Sequence, residues 1–551
     1  MGVTYTRLAM GTARNIVLVA ILAGLAAFVL PAVLSGQIAK NTNPVISSPI
    51  IANRSTETSS RAEPSLATQP RVSAQTPKVL PIQLRGLWVD AFGPGFKTPL
   101  EVDKLVRDAQ VMRVNALFVQ ISRRADCYCN NSSMPRTADP SVPAGFDPLQ
   151  DVLDKAHAAG IQVHAWIIST GVWNKTALEF SSNHPFRLHG PSAKGRDNWL
   201  TVRADGETRA GADYVLDLGH PDAAEFVANM YSSIVQNYAV DGVQFDRIRY
   251  PDSGGPPFLA SWGYNPTALE RFRLETKRSD KPGAADPQWL QWRRDQVTNL
   301  VRRVYLQVKS IRPSVWVSAA TITYREAPSN LEQFEQTRTY SEILQDWPAW
   351  MREGILDLNI PMNYKREREA DQVKWFDGWN QFAVQQKARG RVAVGTANYL
   401  NSSSDGLNQL KRGLSVTGMD GWVGYSYRTP DSEVLGTRRS SLDGQKILGA
   451  NLAGTFTSSA GWDIPPQNFT AVFGRVTQNG LGLSNARVEL HAQSRTDALE
   501  AVSDANGYYG FLDVPQDALT ITASTPTSSQ RLELAAPQVG KVTVAPDFEL
   551  P

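Results

Sequence analysis

The sequence predicts an α/β protein, a (β/α)₈ TIM barrel followed by a small all-β sandwich, and three observations predict this fold. Between residues 82 and 450, eight short apolar segments alternate with amphipathic helical segments. The longest insertions, 171–216 and 251–287, follow the third and fourth apolar segments. They therefore extend the carboxyl face, where barrels carry their sites. From about residue 468 the helical period disappears, and turn signals such as "DANG" separate short strands.

Each predicted barrel strand is a short run rich in aliphatic and aromatic residues that ends in a polar or turn segment. The strands are predicted at 84–92, 116–122, 162–169, 241–248, 316–323, 357–364, 391–399 and 421–427. The clearest helical patterns lie between them, at 147–160, 222–238 and 289–311. Apolar residues recur there every three to four positions, which is typical of a helix with one buried face.

The amino-terminal region predicts export. Arg7 and Arg14 precede the apolar run 16–34, and a positive region before an apolar run is an export signal. The run is close to the ~20 residues that span a bilayer, so residues 1–40 are either a cleaved signal peptide or an anchor in the cytoplasmic membrane. Residues 41–80, rich in Ser, Thr, Pro and Asn, are predicted to be a disordered linker. The barrel (81–455) and the sandwich (468–551) are then extracytoplasmic, in the periplasm or cell envelope, and membrane-anchored or secreted.

Composition limits the partners and cofactors of the chain. A net charge of +3 is too small to indicate nucleic-acid binding, which needs a clustered basic face. His157 and His164 fall on different elements, so neither a metal nor another cofactor is expected. Cys127 and Cys129, the two cysteines of the sequence, would point to opposite faces of an extended segment. We expect two unpaired thiols or an incidental bridge.

Strand parity predicts a set of polar and aromatic residues inside the barrel. Successive side chains of a strand face the helices and the interior in turn. If the aliphatic residues of five strands face the helices, the interior set is Trp88, Asp90, Gln120, Ser122, His164, Trp166, Gln244, Asp246, Asn359 and Asn363. Barrel interiors are ordinarily filled by Val, Ile and Leu, and buried polar groups cost free energy unless they are hydrogen-bonded. The set predicts a functional site, and a structural hydrogen-bond network is the alternative.

The stretch "DGVQFDRIRYPD" (241–252) places an acid and two guanidinium groups at the end of the fourth strand. Asp246 falls at the rim of the barrel mouth, where a carboxylate can act on a substrate. Arg247 and Arg249 would either keep Asp246 ionised or bind substrate. For Arg249 the alternative is a salt bridge within the loop.

Five blocks of sequence follow one another in a recognisable order: "LRGLWVDAF", "LFVQISRRADCYC", "FDPLQDVLDKAHAAGIQVHAWI", "LDLGHPDA" and "VDGVQFDRIRYP". Together they resemble the bacterial glycosyl-hydrolase-like family that is distantly related to family-10 glycosidases. The resemblance covers about 82–450. It implies an exported glycosidase of a cell-wall or extracellular polysaccharide, including peptidoglycan glycan strands. In 468–551, "GRV", "ARVEL" and "SDANGYYGFLDVP" resemble the carboxypeptidase regulatory-like domain, which commonly accompanies secreted enzymes without chemistry of its own.

The resemblance also implies roles for single residues. Asp246 matches the strand-four aspartate of the family, and Asp126 matches an acidic position in the loop after strand two. Many relatives carry a second acid after the strand-four aspartate, where this chain has Arg247. The second carboxylate is therefore Asp126, Asp90 or Glu326, and the predicted catalytic set is Asp246, Asp126 and Glu326. The predicted substrate-binding residues are Asp90, Gln120, Arg123, His164, Trp166, Arg247, Arg249, Tyr250, Asn363, Tyr364 and Tyr425.

Two functions follow from these residues. Glycosidic cleavage needs one protonated and one ionised carboxyl group across the scissile bond, and rings such as Trp166 and Tyr425 can stack on sugar faces. This combination favours a glycoside hydrolase whose partner is a polysaccharide. Arg247 in place of a second acid leaves an alternative: a non-catalytic glycan-binding or scaffold protein of the cell envelope, on a degenerate barrel.

Overall fold

The computed structural model describes residues 82–175, 180–458, 460–462 and 464–551. The predicted export segment (1–40), its apolar run and the predicted linker (41–80) lie outside these residues and stay predictions. Within the described ranges, no helix has the length and apolar character needed to cross a membrane.

Eight parallel strands of the described residues close into a barrel, as the sequence predicts. They are β1 (Leu84–Val89), β2 (Ala116–Ser122), β3 (Gln162–Ile168), β4 (Gly242–Asp246), β5 (Trp316–Ile322), β6 (Leu358–Met362), β7 (Arg391–Ala397) and β8 (Gly421–Tyr425). Neighbours in the chain are neighbours in the barrel, and β8 pairs with β1 to close it. Most strands end one to three residues earlier than predicted, because the chain turns into loops at the carboxyl face.

Several helices of the outer layer begin with a capping residue followed by proline. Thr98, Asp147, Asn265 and Asp286 each accept a hydrogen bond from a backbone N–H of the first turn, which stabilises a helix start. The longer helices are Pro99–Val111, Pro148–Ala158, Pro221–Asn237, Pro266–Thr276, Pro287–Ile311, Trp347–Glu353, Ala370–Gln385, Ser403–Leu414 and Ser441–Thr455. Short helical segments are Pro185–His189, Gly195–Asp197, Leu331–Gln336, Arg338–Ser341, Asn398–Leu400 and Ser432–Leu435.

The side chains of the barrel strands divide into two layers. Leu87 and Phe245 belong to the apolar cluster formed with the helices, whereas Trp88, Phe118 and Trp166 belong to a separate cluster inside the barrel. The parity predicted for β1 to β4 is therefore confirmed.

The parity predicted for β6 is wrong. Leu358 and Ile360 lie in the interior cluster. Asn363 instead donates from Nδ2 to the Phe376 carbonyl (2.8 Å) and to Asn380 Oδ1 (3.0 Å) on the helix Ala370–Gln385. In a parallel sheet covered on both sides, both faces of a strand are apolar, so aliphatic alternation alone cannot distinguish interior from exterior. Asn363, and Asn359 by the same alternation, face the helices rather than the barrel mouth.

The chain segment after the last barrel helix closes the amino-terminal end of the barrel. Trp462 stacks on Trp316, the first residue of β5, with 5.4 Å between ring centroids. Gly461 forms an isolated parallel bridge with Ile82, just before β1. Indole rings therefore fill this end of the barrel.

The carboxyl-terminal residues form two sheets around one apolar core, so the predicted β-sandwich is confirmed. One sheet contains Thr470–Gln478, Leu481–Gly482, Tyr508–Leu512, Lys541–Val544 and Phe548–Leu550, and the other contains Arg487–Ala492, Leu499–Val502, Leu519–Ser524 and Ser529–Leu534. Val476 and Phe511 of the first sheet share the core with Val488 and Ile521 of the second. The resemblance to carboxypeptidase regulatory-like domains stays a prediction.

The sandwich packs closely on the long helix Pro287–Ile311 of the barrel. Arg303 of this helix is buried, donates to Asn506 Oδ1 (2.9 Å) and places its guanidinium 4.0 Å from the centre of the Tyr508 ring. A Cβ atom at Gly510 would lie only 2.0 Å from Leu306 Cδ1. The two domains are therefore in direct van der Waals contact, through a surface that includes a buried cation.

Removing the sandwich is expected to destabilise the barrel. A chain that ends at residue 467 keeps Trp462 but would expose Leu306 and leave Arg303 without its partners in the sandwich. We expect its melting temperature, measured by calorimetry, to fall by at least roughly 1–2 °C, the shift that about 1 kcal/mol produces in a barrel of this length. Gly510→Ala in the full chain should reproduce part of the loss, whereas Gly454→Ala, in open space on a helix, should not. Equal melting temperatures for the truncated and full chains would contradict this interpretation.

Candidate active site

The carboxylate of Asp246 lies at the carboxyl end of β4, in the mouth of the barrel. The residue is 8% exposed. Trp166 Nε1 donates to its Oδ2 (3.0 Å), and the Arg247 backbone N–H donates to its Oδ1 (2.7 Å). Since an ionised carboxylate accepts about four hydrogen bonds, both oxygens retain acceptor capacity for a substrate. The two donors therefore fix the orientation of the carboxylate and leave part of its hydrogen-bond acceptor capacity free.

Aromatic rings surround this carboxylate. The Tyr425 ring centroid lies 6.0 Å from that of Trp166, 5.8 Å from that of Tyr364 and 5.7 Å from that of Tyr399. Burial raises the pKa of Tyr364 and of Tyr425 well above the usual value, and the charge of Asp246 adds to this rise. Both hydroxyls therefore stay protonated, and such rings offer apolar faces and polar edges that suit a sugar.

Asp90 and Gln120 also lie at the mouth, but both are engaged by the protein. Asp90 is fully buried and accepts hydrogen bonds from Ser426 Oγ (2.7 Å) and Arg428 Nε (2.8 Å). Gln120 Oε1 accepts a hydrogen bond from the Ala91 backbone (2.9 Å). An ion-paired, enclosed carboxylate cannot deliver a proton to a leaving group, so these contacts argue against Asp90 as the general acid.

Arg247 contacts an acid that is not among the predicted residues. Its Nη1 lies 2.5 Å from Asp213 Oδ2, on the last strand of a small sheet (Gly171–Trp173, Arg209–Ala210 and Asp213–Val215) in the insertion after β3. Burial lowers the pKa of Arg247, but Asp213 more than offsets it and the net shift is upward. No local pattern marks Asp213 in the sequence, since only the folding of the insertion over the mouth brings it to Arg247.

Arg249 and Tyr250, in the same loop, do not make the contacts predicted for them. Arg249 forms no salt bridge with any residue in the described part of the chain, so the loop salt bridge that was its alternative is not seen there. Tyr250 is buried, and its hydroxyl donates to Asp217 Oδ1 (3.3 Å). Its ring is enclosed by the protein, which argues against the predicted contact between Tyr250 and substrate.

His164 lies inside the barrel but far below the mouth. It pairs in register with Gly242, and Asp246 lies four residues farther along β4, which is about 13 Å at ~3.3 Å per residue. Its ring packs on Phe118 with 4.5 Å between centroids and is fully buried. This position argues against the predicted contact between His164 and substrate, because strand parity predicts which side of the sheet a residue faces but not whether substrate can reach that layer.

Burial of His164 is expected to make stability depend on pH. Burial lowers its pKa from 6.5 to about 4, so the folded protein holds the neutral ring while the unfolded chain binds a proton more readily. The resulting stabilisation is complete above about pH 6.5 and is lost as the pH falls toward about 4. Urea unfolding of His164→Gln should show a weaker loss of stability across this window than the unchanged protein. His220, whose pKa burial also lowers to about 4, should supply a remaining slope, and an unaltered slope in His164→Gln would refute the prediction.

A cleft of about 350 Å³ lies beside the mouth, and its lining includes Phe92, Arg123, Arg124, Asp126 and Trp173. Asp126 is partly exposed, and its Oδ1 accepts a hydrogen bond from the Arg124 backbone (3.2 Å). The cleft therefore contains two of the predicted site residues, Arg123 and Asp126. Glu326 is exposed in the loop after β5 and is not among the residues that line this cleft.

A disulfide joins Cys127 and Cys129, whose Cα atoms are 5.0 Å apart. The expectation that the two side chains face opposite ways fails because the segment is not extended. Cys127 forms single bridges with Ser122 and Arg136, and residues 128–130 bend. The bridge constrains the loop immediately after Asp126. In the described ranges, no group of three or more His, Cys, Asp or Glu residues is arranged to hold a metal ion.

Comparison with known proteins identifies the family of the chain. Residues 83–405 match the family described as glycosyl hydrolase-like 10. The chain belongs to the glycosyl hydrolase-like 10 family. The matched region of this family contains Asp246, Asp126 and Trp166, whereas Tyr425 and Arg428 follow it.

Two relatives of this glycosyl hydrolase-like 10 chain are named as glycosyl hydrolases. It is 28% identical over 310 residues to the glycosyl hydrolase DigH of Escherichia coli strain K12, covering 54% of this chain and 65% of DigH. It is 26% identical over 280 residues to the glycosyl hydrolase YngK of Bacillus subtilis strain 168, covering 48% of each chain. Among solved structures, it is similar to the PgaB (BpsB) glycoside hydrolase domain from Bordetella bronchiseptica, with a TM-score of 0.47, 14% identity, and coverage of 67% of this chain and 99% of that one.

Proposed function

We propose that this chain is an exported glycoside hydrolase of a cell-wall or extracellular polysaccharide, with peptidoglycan glycan strands as the favoured substrate. The observation that carries the proposal is Asp246, a carboxylate fixed by two donors at the open end of the barrel and surrounded by Trp166, Tyr364 and Tyr425. Membership of the glycosyl hydrolase-like 10 family supports it.

In this proposal Asp246 acts as the nucleophile or stabilises the positive charge that develops on the sugar ring in the transition state. The aromatic rings bind the faces of the sugar and exclude water. Asp126 is the favoured second carboxylate, because it is partly exposed in the adjoining cleft whereas Asp90 is enclosed and ion-paired.

Export is part of the same proposal. The positive and apolar amino-terminal segment supports it, and so does the disulfide between Cys127 and Cys129, because disulfides persist mainly in oxidising compartments. If the segment 16–34 is retained, it anchors the chain in the cytoplasmic membrane. We also propose that the sandwich is a carboxypeptidase regulatory-like domain. Such a domain would accompany the exported barrel and carry out no chemistry of its own.

A second function, non-catalytic glycan binding, is favoured by one observation: Asp90 and Asp213, two acids of the mouth region, are each paired with an arginine. Incubation of the purified chain with isolated glycan strands separates the two functions. A hydrolase releases new reducing ends and shorter oligosaccharides, which mass spectrometry detects. Binding of the strands without release of reducing ends would favour the non-catalytic function and reject the hydrolase.

A further inference from the structure

We propose that the cleft beside the mouth binds a carboxylate group of the glycan through Arg123 and Arg124. The inference rests on the proposed glycosidase function and names the chemical class of its substrate, a polysaccharide whose sugars carry carboxylates. Three observations support it: the burial and hydrogen bonding of the two arginines, the position of the cleft relative to Asp246, and the balance of charged groups in the lining.

Arg124 is a buried cation without an ionic partner in the described residues. It is 8% exposed, and its Nε donates to Asn174 Oδ1 (2.5 Å), which leaves both terminal nitrogens for other acceptors. Burial, together with the charge of Arg123, lowers the pKa of Arg124 to about 10. A charge removed from water is costly unless it is paired, so an anion delivered to this guanidinium would offset a cost that the folded protein already carries.

Arg123 presents a second guanidinium to the same cleft. It lies 4.3 Å above the centre of the Phe92 ring, which fixes its plane, and its Nη1 makes a long contact with the Ala91 carbonyl (3.4 Å). Its Nε is buried and has no hydrogen-bond partner among the described residues. The planar fork of a guanidinium binds a carboxylate through two parallel hydrogen bonds. Two adjacent forks that have no carboxylate partner in the described part of the chain are therefore suited to an anionic group.

A chain of charges connects the cleft to Asp246. Asp213 raises the pKa of Arg124 and also pairs with Arg247 at 2.5 Å, and the Arg247 backbone N–H donates to Asp246. The cleft is thus linked to the carboxylate proposed to react through Asp213 and Arg247. Its volume of about 350 Å³ is within the range of small-ligand sites.

The charge balance of the cleft favours a carboxylate over a more highly charged group. Asp126 shares the lining with the two arginines, so two guanidinium groups and one carboxyl group face a bound ligand, a balance that suits a monoanion better than a dianion such as a phosphate monoester. A carboxylate also matches the guanidinium fork in size and geometry. Either the lactyl ether of a muramic acid or a uronic acid supplies this group, and the two sources are separated by experiment.

The test measures binding in the full chain carrying Asp246→Asn, so that hydrolysis does not consume the ligand. The probes are isolated peptidoglycan glycan strands and the same strands after chemical reduction of their carboxyl groups to alcohols. By isothermal titration we expect the native strands to bind at least about tenfold more tightly, as a charge-assisted hydrogen bond contributes on this scale. Raising the salt concentration should reduce the difference. Oligogalacturonate serves as the uronic acid probe, and tighter binding of it than of the native strands would identify a uronic acid as the source.

Added to this background, Arg123→Gln and Arg124→Lys should each abolish most of the preference for native strands. Arg124→Lys retains the charge and removes the fork. Arg209→Gln is the matched control, since this exposed arginine of the insertion after β3 bonds to the Ala212 carbonyl and should leave the preference unchanged. Melting temperatures verify folding, and the partly exposed Arg123 keeps the test decisive if the Arg124 variant unfolds.

Equal affinity for native and reduced strands, or a preference unaffected by both arginine variants, would overturn the carboxylate site even if the wild-type chain hydrolyses glycan. Conversely, an arginine-dependent preference in a chain that releases no reducing ends would retain the site and reject the hydrolase. The two proposals therefore fail by different observations.

Discussion

Replacing Asp246 by asparagine is expected to lower kcat by several orders of magnitude while the protein still folds. Asparagine has the same shape, and its amide oxygen can still accept one of the two hydrogen bonds that Trp166 and the Arg247 backbone now give to separate oxygens of Asp246. The side chain should therefore stay in the mouth and the protein should still fold. What is lost is the negative charge that attacks or stabilises the sugar cation, and removal of such a group commonly has an effect of this size. Release of reducing ends from glycan strands measures the loss.

The control for this variant is Asp443→Asn, which removes the same charge from an exposed carboxylate on the helix Ser441–Thr455. Its kcat should equal that of the unchanged protein. Circular dichroism and melting temperature should be alike for both variants. Near-normal hydrolysis by a folded Asp246→Asn protein would end the assignment of Asp246 and direct attention to Asp126.

Replacing Lys309 by methionine is expected to cost about 3–5 kcal/mol of unfolding free energy, the usual effect of breaking a buried ion pair. Lys309 Nζ lies 2.7 Å from Asp357 Oδ2, and both side chains are fully buried. Asp357 precedes β6 and accepts hydrogen bonds from the Val317 backbone of β5 (2.8 Å) and the Tyr305 hydroxyl (3.3 Å). The variant would leave this carboxylate charged and without its cation, at a junction of two barrel strands and a helix. Urea denaturation gives the loss.

Lys446→Met is the matched comparison, because Lys446 pairs with Asp443 and these side chains are 68% and 59% exposed. An exposed pair contributes little, so this variant should change the unfolding free energy by less than about 1 kcal/mol. The double variant Lys309→Met and Asp357→Leu should recover stability relative to Lys309→Met alone, because it leaves no unpaired charge. A Lys309→Met protein as stable as Lys446→Met would show that the pair is dispensable.

The positions of the eight strands and the proposed reactive carboxylate could be predicted because they rest on local pattern. An apolar run between polar turns indicates a strand. Asp246 could be assigned to the mouth because it ends such a run, in which Val243 and Phe245 face the helices. The same reasoning gave the wrong side for Asn363 because both faces of a buried parallel strand are apolar. It also did not predict the burial of His164 and Tyr250, whose polar atoms are enclosed by neighbouring elements that no local pattern describes.

The sequence by itself determined which segments are strands and helices and that Asp246 lies at the carboxyl end of the barrel, where the site is proposed, since alternation, turn residues and caps act over a few neighbouring residues. Only the tertiary structure decided which acids accompany Asp246. Asp213 reaches Arg247 through the folding of a long insertion, Asp90 is enclosed by Ser426 and Arg428 from the other end of the barrel sequence, and Arg124 is buried without an ionic partner in the described residues. These contacts join residues up to hundreds of positions apart, and they depend on which surfaces pack together rather than on any spacing within the chain.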